Sequence, residues 1–152
     1  MELARDFSQQ LSELNQLFQT DFAIISHIDQ SDYMVLQVAS ELDSINVGQK
    51  FVTKDTYCNI VVDSGDTVIF NQVGYVEAMK LHPVYTTFQL ESYIGHPLHH
   101  NGVVVGTLNF SGFEPKDPPF NETDKERLIK LAKEIELELI MNSWEWATDN
   151  SK

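Results

Sequence analysis

Apolar residues at the N-terminal end of the chain recur at helical spacing. Intervals of three and four place them on one face of a helix, while glutamine and glutamate occupy much of the remaining surface. This pattern predicts a helix over residues 1–19. Its apolar stripe consists of Phe7, Leu11, Leu14, Leu17 and Phe18.

A second helical stripe near the other end predicts a helix over residues 123–142. Either Asn121 or Thr123 can cap the first turn, and Asp124 and Glu126 suit the positive end of the helix dipole. We therefore expect two long helices to bracket the domain. The broad apolar face of the second contains Leu128, Leu131, Ala132, Ile135, Leu139 and Met141.

Two hairpins are predicted between these helices. Residues 22–29 and 33–40 read as strands joined by a short polar turn. Residues 91–99 and 103–111 flank Asn-Gly, a pair that suits a tight turn with positive φ. Both faces of the first hairpin are largely apolar, so we expect the sheet to be covered on both sides.

The segment between the hairpins is less regular. It predicts a short strand near residue 51, a helix over residues 57–63 and a brief strand over residues 67–71. About twenty residues without a clear period then follow, and they are rich in aromatic side chains. A long connection of this kind often folds over a ligand site.

The order of these elements predicts an α+β fold with one antiparallel sheet. The N- and C-terminal helices need a common apolar surface, and one face of the sheet supplies it. Short helices and loops would close the other face and leave a pocket beneath them. We expect one domain over residues 1–152, with a core of about residues 17–140 and a tail over residues 143–152.

Charge and composition restrict the function classes. The formal net charge is −13 and the pI is about 4.5, so we expect neither a nucleic-acid nor a membrane-surface partner. No apolar run reaches the roughly 20 residues of a membrane span, and the N-terminus does not resemble a secretory signal. With a single cysteine, Cys58, these features predict a cytoplasmic protein.

Four short segments, in order and well spaced, resemble motifs of GAF domains. Each motif alone is loose, but the match runs from about residue 17 to residue 139. The pattern is most similar to input modules of bacterial histidine kinases and diguanylate cyclases. The four segments are residues 55–65 (Asp-Thr-Tyr-Cys, then Val-Val-Asp-Ser-Gly), 91–98 (Glu-Ser-Tyr-Ile-Gly-His-Pro-Leu), 104–110 and 119–124 (Pro-Phe-Asn-Glu-Thr-Asp).

The resemblance implies a regulatory module rather than an enzyme. Such a module binds a small molecule or a partner and signals through its terminal helices, as a homodimer, to an output domain or a partner kinase or cyclase. The alternative is an interaction scaffold with no small ligand, whose cavity its own side chains fill. The helix positions expected at the dimer face, where the sheet leaves them exposed, are Phe7, Leu11, Leu14, Leu128, Ile135 and Leu139.

The best-defined activities of the resembled family are not favoured. Cys58 lies in the short-helix motif rather than in the later segment where bilins attach, and no second cysteine supports methionine sulfoxide reduction. Of the cyclic-nucleotide signature, Phe120 and Asp124 are present, but Lys125 replaces the expected glutamate. A buried, space-filling role for Cys58 is the simpler interpretation. The cofactor, if any, stays unknown.

The aromatic connection is either core or the wall of a pocket. As a pocket, it would stack a flat apolar ligand against aromatic rings, with polar contacts from Ser92, His96 or Asn109. No metal site is predicted, because the adjacent His99 and His100 point to opposite faces of a strand. Trp144 and Trp146 in the tail could anchor a partner, pack on the first helix or be disordered. The predicted pocket residues are Tyr57, Cys58, Phe70, Tyr85, Phe88, Tyr93, His96 and Asn109.

Overall fold

A six-stranded antiparallel sheet forms the centre of the fold. The computed structural model describes residue 3 and residues 5–29, 31–79 and 81–141, without the side chains of residues 86, 140 and 141. The predicted tail with its two tryptophans lies outside these residues. The strands are β1 (Phe22–Asp29), β2 (Asp32–Ala39), β3 (Lys50–Val52), β4 (Val68–Phe70), β5 (Ser92–His100) and β6 (Val103–Gly112), in the spatial order β3-β2-β1-β6-β5-β4.

Helices cover both faces of this sheet. The α-helices are α1 (Ser8–Phe18), α2 (Cys58–Ser64), α3 (Pro83–Phe88) and α4 (Glu122–Met141). Short 3₁₀ turns lie at Thr53–Asp55, Val73–Tyr75 and Glu77–Met79. The predicted α+β fold with one antiparallel sheet is therefore confirmed. None of the helices in the described ranges combines the length and apolarity that crossing a bilayer requires.

The N-terminal helix is shorter than the predicted residues 1–19, because it begins at Ser8. The side chain of Gln37 on β2 accepts a hydrogen bond from the Phe7 N–H and donates one to the Arg5 carbonyl. Because the backbone of residues 5–7 is hydrogen-bonded to a side chain of β2, it does not adopt the helical conformation that would extend α1 towards the N-terminus. The first N–H groups of a helix have no intrahelical acceptor. Here the Ser8 N–H donates instead to the carboxylate of Asp6.

The two terminal helices pack on one face of the sheet and form the larger core. Ile25 of β1, Ile94 of β5 and Leu108 of β6 supply the sheet side of this core. The six helix positions expected at a dimer face all belong to it, and each is at most 9% exposed. The sheet thus leaves none of them available, and any contact between two copies through these helices must use other positions. The six are Phe7, Leu11, Leu14, Leu128, Ile135 and Leu139.

The start of α4 is fixed by a reciprocal pair of hydrogen bonds. The Asp124 N–H donates to Oδ1 of Asn121 at 2.9 Å, and the Asn121 N–H donates to a carboxylate oxygen of Asp124 at 3.0 Å. This is the capping-box arrangement, with an aspartate in place of the usual glutamate. Of the two caps that the sequence allowed, Asn121 is the one used.

A second core covers the opposite face of the sheet. Phe22, Ile24 and Ile28 of β1 pack there against Val61 of α2 and Val73 of the connection. The expectation that both faces are covered is confirmed. This second layer consists of short helices and turns, which leave a cleft between themselves and the sheet.

Candidate functional site

The cleft lies between the second face of the sheet and its cover of short helices. Its volume is about 90 Å³, well below the roughly 300–1,000 Å³ of drug-sized ligand sites. From the sheet, Ile24, Tyr33, Phe51, Tyr93, Asn109 and Ser111 line it. From the cover, the lining includes Asp55, Tyr57, Cys58, Val84, Phe88 and Leu90.

The floor of the cleft rests on a buried cluster of polar side chains centred on Thr107. The Thr107 hydroxyl lies 2.7 Å from the Ser26 hydroxyl and 3.3 Å from Sγ of Cys58. Nδ2 of Asn109 donates to the same hydroxyl at 3.1 Å. All four residues are at most 3% exposed. Buried polar groups are tolerated when they satisfy one another, as these do.

Two tyrosines extend this polar cluster. The Tyr33 hydroxyl accepts a hydrogen bond from Nδ2 of Asn109 at 3.3 Å, and the Tyr93 hydroxyl lies 3.2 Å from Sγ of Cys58. Burial raises the pKa of both phenols well above its ordinary value and also raises the pKa of the Cys58 thiol. All three groups are therefore uncharged at neutral pH. The polar floor consists of Ser26, Tyr33, Cys58, Tyr93, Thr107 and Asn109.

Strand alternation places this chemistry on one face of the sheet. In β6, Thr107 and Asn109 point to the cleft, whereas Leu108 and Phe110 point to the terminal helices. The antiparallel register pairs Tyr93 with Ser111, so β5 adds its tyrosine to the same face. Neighbouring residues of one strand therefore belong to different layers of the protein.

A glycine makes room for Tyr93. The ring of Tyr93 lies back over Gly95, and a Cβ at position 95 would collide with the Tyr93 hydroxyl and with Cζ and Cε1 of its ring. Because Gly95 has no side chain, the Tyr93 ring can lie along its own strand, with its hydroxyl 3.2 Å from Sγ of Cys58. The position of the Tyr93 ring therefore requires glycine two residues later in the strand.

Aromatic rings form the walls above the floor. Tyr57 packs edge-on against Tyr93, with ring centroids 5.5 Å apart, and its hydroxyl donates to the Leu90 carbonyl at 2.9 Å. Phe51 packs against Tyr33 at 5.9 Å. Phe88 of α3 is 52% exposed and forms part of the rim. The walls therefore combine buried tyrosine rings with two rings that solvent reaches, the half-buried Phe51 and the exposed Phe88.

Charge is sparse around the cleft. Among the described lining residues, Asp55 alone carries a charge at neutral pH. His82 lies beside Tyr57, with ring centroids 5.0 Å apart, and burial lowers its pKa, so it is neutral there. Within the described chain, no group of three histidine, cysteine, aspartate or glutamate side chains is placed to hold a metal ion.

The structure brings five of the eight predicted pocket residues to the cleft: Tyr57, Cys58, Phe88, Tyr93 and Asn109. Two others lie nearby but do not line it. The Phe70 ring packs behind Tyr57 and Tyr93, at 6.1 and 6.5 Å, and the Tyr85 hydroxyl donates to Glu91 at 3.0 Å.

His96 lies on the other side of the sheet. It is three positions from Tyr93 on the same strand, so the two side chains must point to opposite faces. Its Nδ1 lies 2.7 Å from the Thr67 hydroxyl. Burial lowers its pKa, partly offset by the carboxylate of Glu136 on α4. It belongs to the helix-covered face.

Sequence reasoning missed three members of the floor: Ser26, Tyr33 and Thr107. A signal for Ser26 existed, because it is a polar residue that follows four apolar ones in a strand that was expected to be covered on both faces. Thr107 also had a signal, because it lies two residues before the predicted pocket residue Asn109 on β6 and therefore shares its face. Tyr33 carries no comparable signal, since it meets Asn109 only through the register that pairs β1 with β2 and with β6.

A larger groove lies elsewhere on the surface. Its volume is about 520 Å³, and it runs between the end of α1 and the segment after β2, near Gln16, Asp21 and Glu41. It has no aromatic lining and no buried polar floor. The smaller cleft is the candidate functional site, because its polar groups are withdrawn from water.

A family model supports a common ancestry for nearly the whole chain. The model described as GAF domain matches residues 2–139. No curated protein sequence matches the chain.

Solved structures show the same fold at low sequence identity. The GAF domain of an Acinetobacter phosphoenolpyruvate-protein phosphotransferase has a TM-score of 0.72 and 14% identity, over 93% of this chain and 84% of that one. The free methionine-R-sulfoxide reductase of Neisseria meningitidis, in complex with its substrate, gives 0.67 and 19%, over 87% and 74%. The phycocyanobilin-bound GAF domain of a cyanobacterial phytochrome gives 0.70 and 12%, over 91% and 85%.

Proposed function

The chain belongs to the GAF domain family, and on that premise we propose that it is a regulatory module that binds a small molecule in its cleft. Binding there would alter the packing of α1 and α4, which would pass the change to an output domain or a partner protein. Structures of this fold include ligand-bound sensor domains, such as the phycocyanobilin-bound one.

The buried polar floor is the observation that carries this proposal. Taking hydroxyl, thiol and amide groups out of water is costly, and a covered sheet face gains more stability from apolar side chains. The side-chain nitrogen of Asn109 donates to the Tyr33 and Thr107 hydroxyls, and Asn109 also lines the cleft. Its amide is therefore placed to contact a ligand lying on the floor.

The strands offer a mechanical link from the cleft to the terminal helices. Asn109 faces the cleft, and its neighbour Phe110 packs edge-on against Phe18, the last residue of α1, at 5.0 Å. Phe18 also contacts Phe120, two residues before α4, at 5.8 Å. A ligand that displaces Asn109 would move this aromatic group. Close-packed interiors transmit such shifts.

We further propose that the module is not catalytic. Methionine sulfoxide reductases share the fold, and their chemistry requires a reactive thiolate. Cys58 is the one cysteine of the chain; it is buried, and burial raises its pKa. A protonated thiol held between Tyr93 and Thr107 is a poor nucleophile.

Dimerisation through the terminal helices remains part of the proposal, with different side chains. Leu17 of α1 and Leu137 of α4 are 53% and 62% exposed. Exposed leucines on the two helices that would carry the signal suit a contact between two copies. Such a contact would couple ligand binding in the two protomers.

Native mass spectrometry of protein purified from its own cells tests the binding proposal. We expect a retained small molecule in the wild type and in a surface control, Gln9→Leu, but not in Asn109→Leu. Absence of any retained ligand, with no stabilisation by any member of a small-molecule library, would support the ligand-free scaffold instead. Turnover of free methionine sulfoxide that disappears in Cys58→Ala would overturn the non-catalytic assignment.

A further inference from the structure

The charged residue of the described cleft lining, and a second one behind its wall, are both acidic. Asp55 lines its mouth, and the carboxylate of Glu91 accepts hydrogen bonds from the Tyr85 hydroxyl and the Gly74 N–H behind the Tyr57 wall. Glu91 is close enough to Tyr57 to contribute, after burial, to raising the pKa of that phenol. No lysine or arginine belongs to the described lining. An anionic ligand would therefore lack a counter-charge among the described lining residues.

The walls add acceptors for a positive charge. Five aromatic rings line the cleft: Tyr33, Phe51, Tyr57, Phe88 and Tyr93. The face of an aromatic ring carries negative charge density and attracts cations within about 6 Å of its centroid. The floor adds the side-chain carbonyl of Asn109, a residue that lines the cleft. The aromatic walls, Asp55 and the Asn109 carbonyl thus each favour a cation over an anion.

The size and chemistry of the cleft restrict which cation can bind. A volume of about 90 Å³ is smaller than the roughly 150 Å³ of an apolar cavity that admits benzene, so only a few heavy atoms fit. A bare metal ion needs converging oxygen or nitrogen ligands, and no such group exists among the described residues. A compact cation with an apolar surface matches aromatic walls better than a strongly hydrated one.

We propose that the cleft recognises a small organic cation, of the class of methylated or alkylated ammonium ions. The cation lies among the five rings, with Asp55 at the mouth and Asn109 beneath it. This inference rests on the proposed function, because it names the ligand class of the same cleft.

Three probes of similar branched shape separate charge from shape: tetramethylammonium, tert-butanol and pivalate. Each is titrated into ¹⁵N-labelled protein, and dissociation constants are obtained from the amide shifts of residues 107–109. We expect tetramethylammonium to bind about tenfold more tightly than tert-butanol, since cation–π contacts contribute about 0.5–2 kcal/mol. Pivalate should show no saturable shift. Raising the salt concentration should weaken the cation alone.

Two variants assign the preference to named groups. Asp55→Asn should weaken tetramethylammonium about threefold, as expected for one exposed charge pair, and leave tert-butanol unchanged. Asp63→Asn makes the same charge change on the exposed side of α2, away from the lining, and serves as the control. Phe51→Leu should lower the ratio of cation to alcohol affinity, because it removes a ring while keeping an apolar wall.

The outcomes separate this inference from the function on which it rests. Equal or tighter binding of tert-butanol or pivalate would overturn the cation assignment and leave the cleft as a binding site. If no probe binds while native mass spectrometry retains a neutral or anionic ligand, the ligand class is likewise wrong and the sensor function stands. If no probe binds and no ligand is retained or stabilises the fold, both proposals fail.

Discussion

Tyr33 and Asn109, which are 76 residues apart in the chain, meet at the floor of the cleft, where Nδ2 of Asn109 donates a hydrogen bond to the Tyr33 hydroxyl at 3.3 Å. They belong to β2 and β6, which are not neighbours, because β1 lies between them. The contact therefore connects β2 and β6 across the intervening β1, on the cleft side of the sheet. A ligand that competes for the Asn109 amide must act on this contact.

Removing the Tyr33 hydroxyl should destabilise the protein measurably. Tyr33→Phe leaves one hydrogen of the buried Asn109 amide without its acceptor, which costs about 1–3 kcal/mol. Tyr75→Phe is the matched control, because Tyr75 is 82% exposed and such changes stay within about 0.5 kcal/mol. Urea unfolding followed by circular dichroism gives both values. Equal stability of the two variants would contradict the structural importance of the floor.

Stability should decline in alkaline solution. The pKa values of Cys58, Tyr33 and Tyr93 are raised by burial from ordinary values of 9.0 for cysteine and 10.0 for tyrosine. The unfolded chain then loses these protons at lower pH than the folded protein does. It binds fewer protons, so the free energy of unfolding falls as the pH rises.

This contribution is fully present below pH 9.0, the ordinary pKa of cysteine, and is lost progressively above it. Each group alone gives a slope of up to about 1.4 kcal/mol per pH unit. Calorimetric melting temperatures between pH 7 and pH 11 measure the effect. Cys58→Ala should remove the first part of the decline, near pH 9, and a wild-type curve that stays flat to pH 11 would argue against buried, protonated floor groups.

The cap of α4 distinguishes two residues that the sequence treats alike. Asn121→Ala removes the acceptor of the Asp124 N–H and should cost about 1 kcal/mol, within a range of about 0.5–2 kcal/mol. Thr123→Ala lies inside the helix and should change the free energy of unfolding by at most about 0.5 kcal/mol. Chemical denaturation resolves this difference. A larger effect at Thr123 would show that the reciprocal pair of Asn121 and Asp124 is not the cap in solution.

Two leucines on α4 should separate folding from association. Leu139 is fully buried, and Leu139→Ala should cost about 2–5 kcal/mol in unfolding experiments. Leu137 is 62% exposed, so Leu137→Asp should leave monomer stability nearly unchanged. If copies associate through α4, Leu137→Asp weakens self-association about tenfold or more, since burying a leucine contributes about 1.5–3 kcal/mol. Analytical ultracentrifugation measures this, and unaltered association would place the contact elsewhere.

The fold was predictable because its signals are local. The helical stripes, the Asn-Gly turn and the apolar strands each depend on a few adjacent residues, and β1 falls on residues 22–29 as predicted. The first helix was predicted to be too long, because the side chain of Gln37, thirty residues beyond Phe7, accepts a hydrogen bond from the backbone N–H just before Ser8. No pattern within the helix itself reveals such a competitor.

The site was predicted less completely, because it depends on strand register. His96 could have been excluded from the sequence alone, since three positions from Tyr93 on one strand means the opposite face. Thr107 could have been found by the same rule, because it lies two residues before Asn109 on β6. Tyr33 could not, because its proximity to Asn109 follows from pairings between distant strands. The helix residues expected at a dimer face are buried against the sheet, and the sequence did not reveal this for a different reason. An amphipathic stripe shows that a face is covered, and it does not show what covers it.

The alternation along β5 and β6 has a consequence for how this protein can diverge. Asn109 serves the cleft, and its neighbours Leu108 and Phe110 serve the helix layer. Under the proposed function, a single codon change at a cleft position would alter which molecule is recognised, while the residues that pack on the terminal helices are inherited unchanged. Descendants of such a gene would then acquire new inputs for an old output, one strand position at a time.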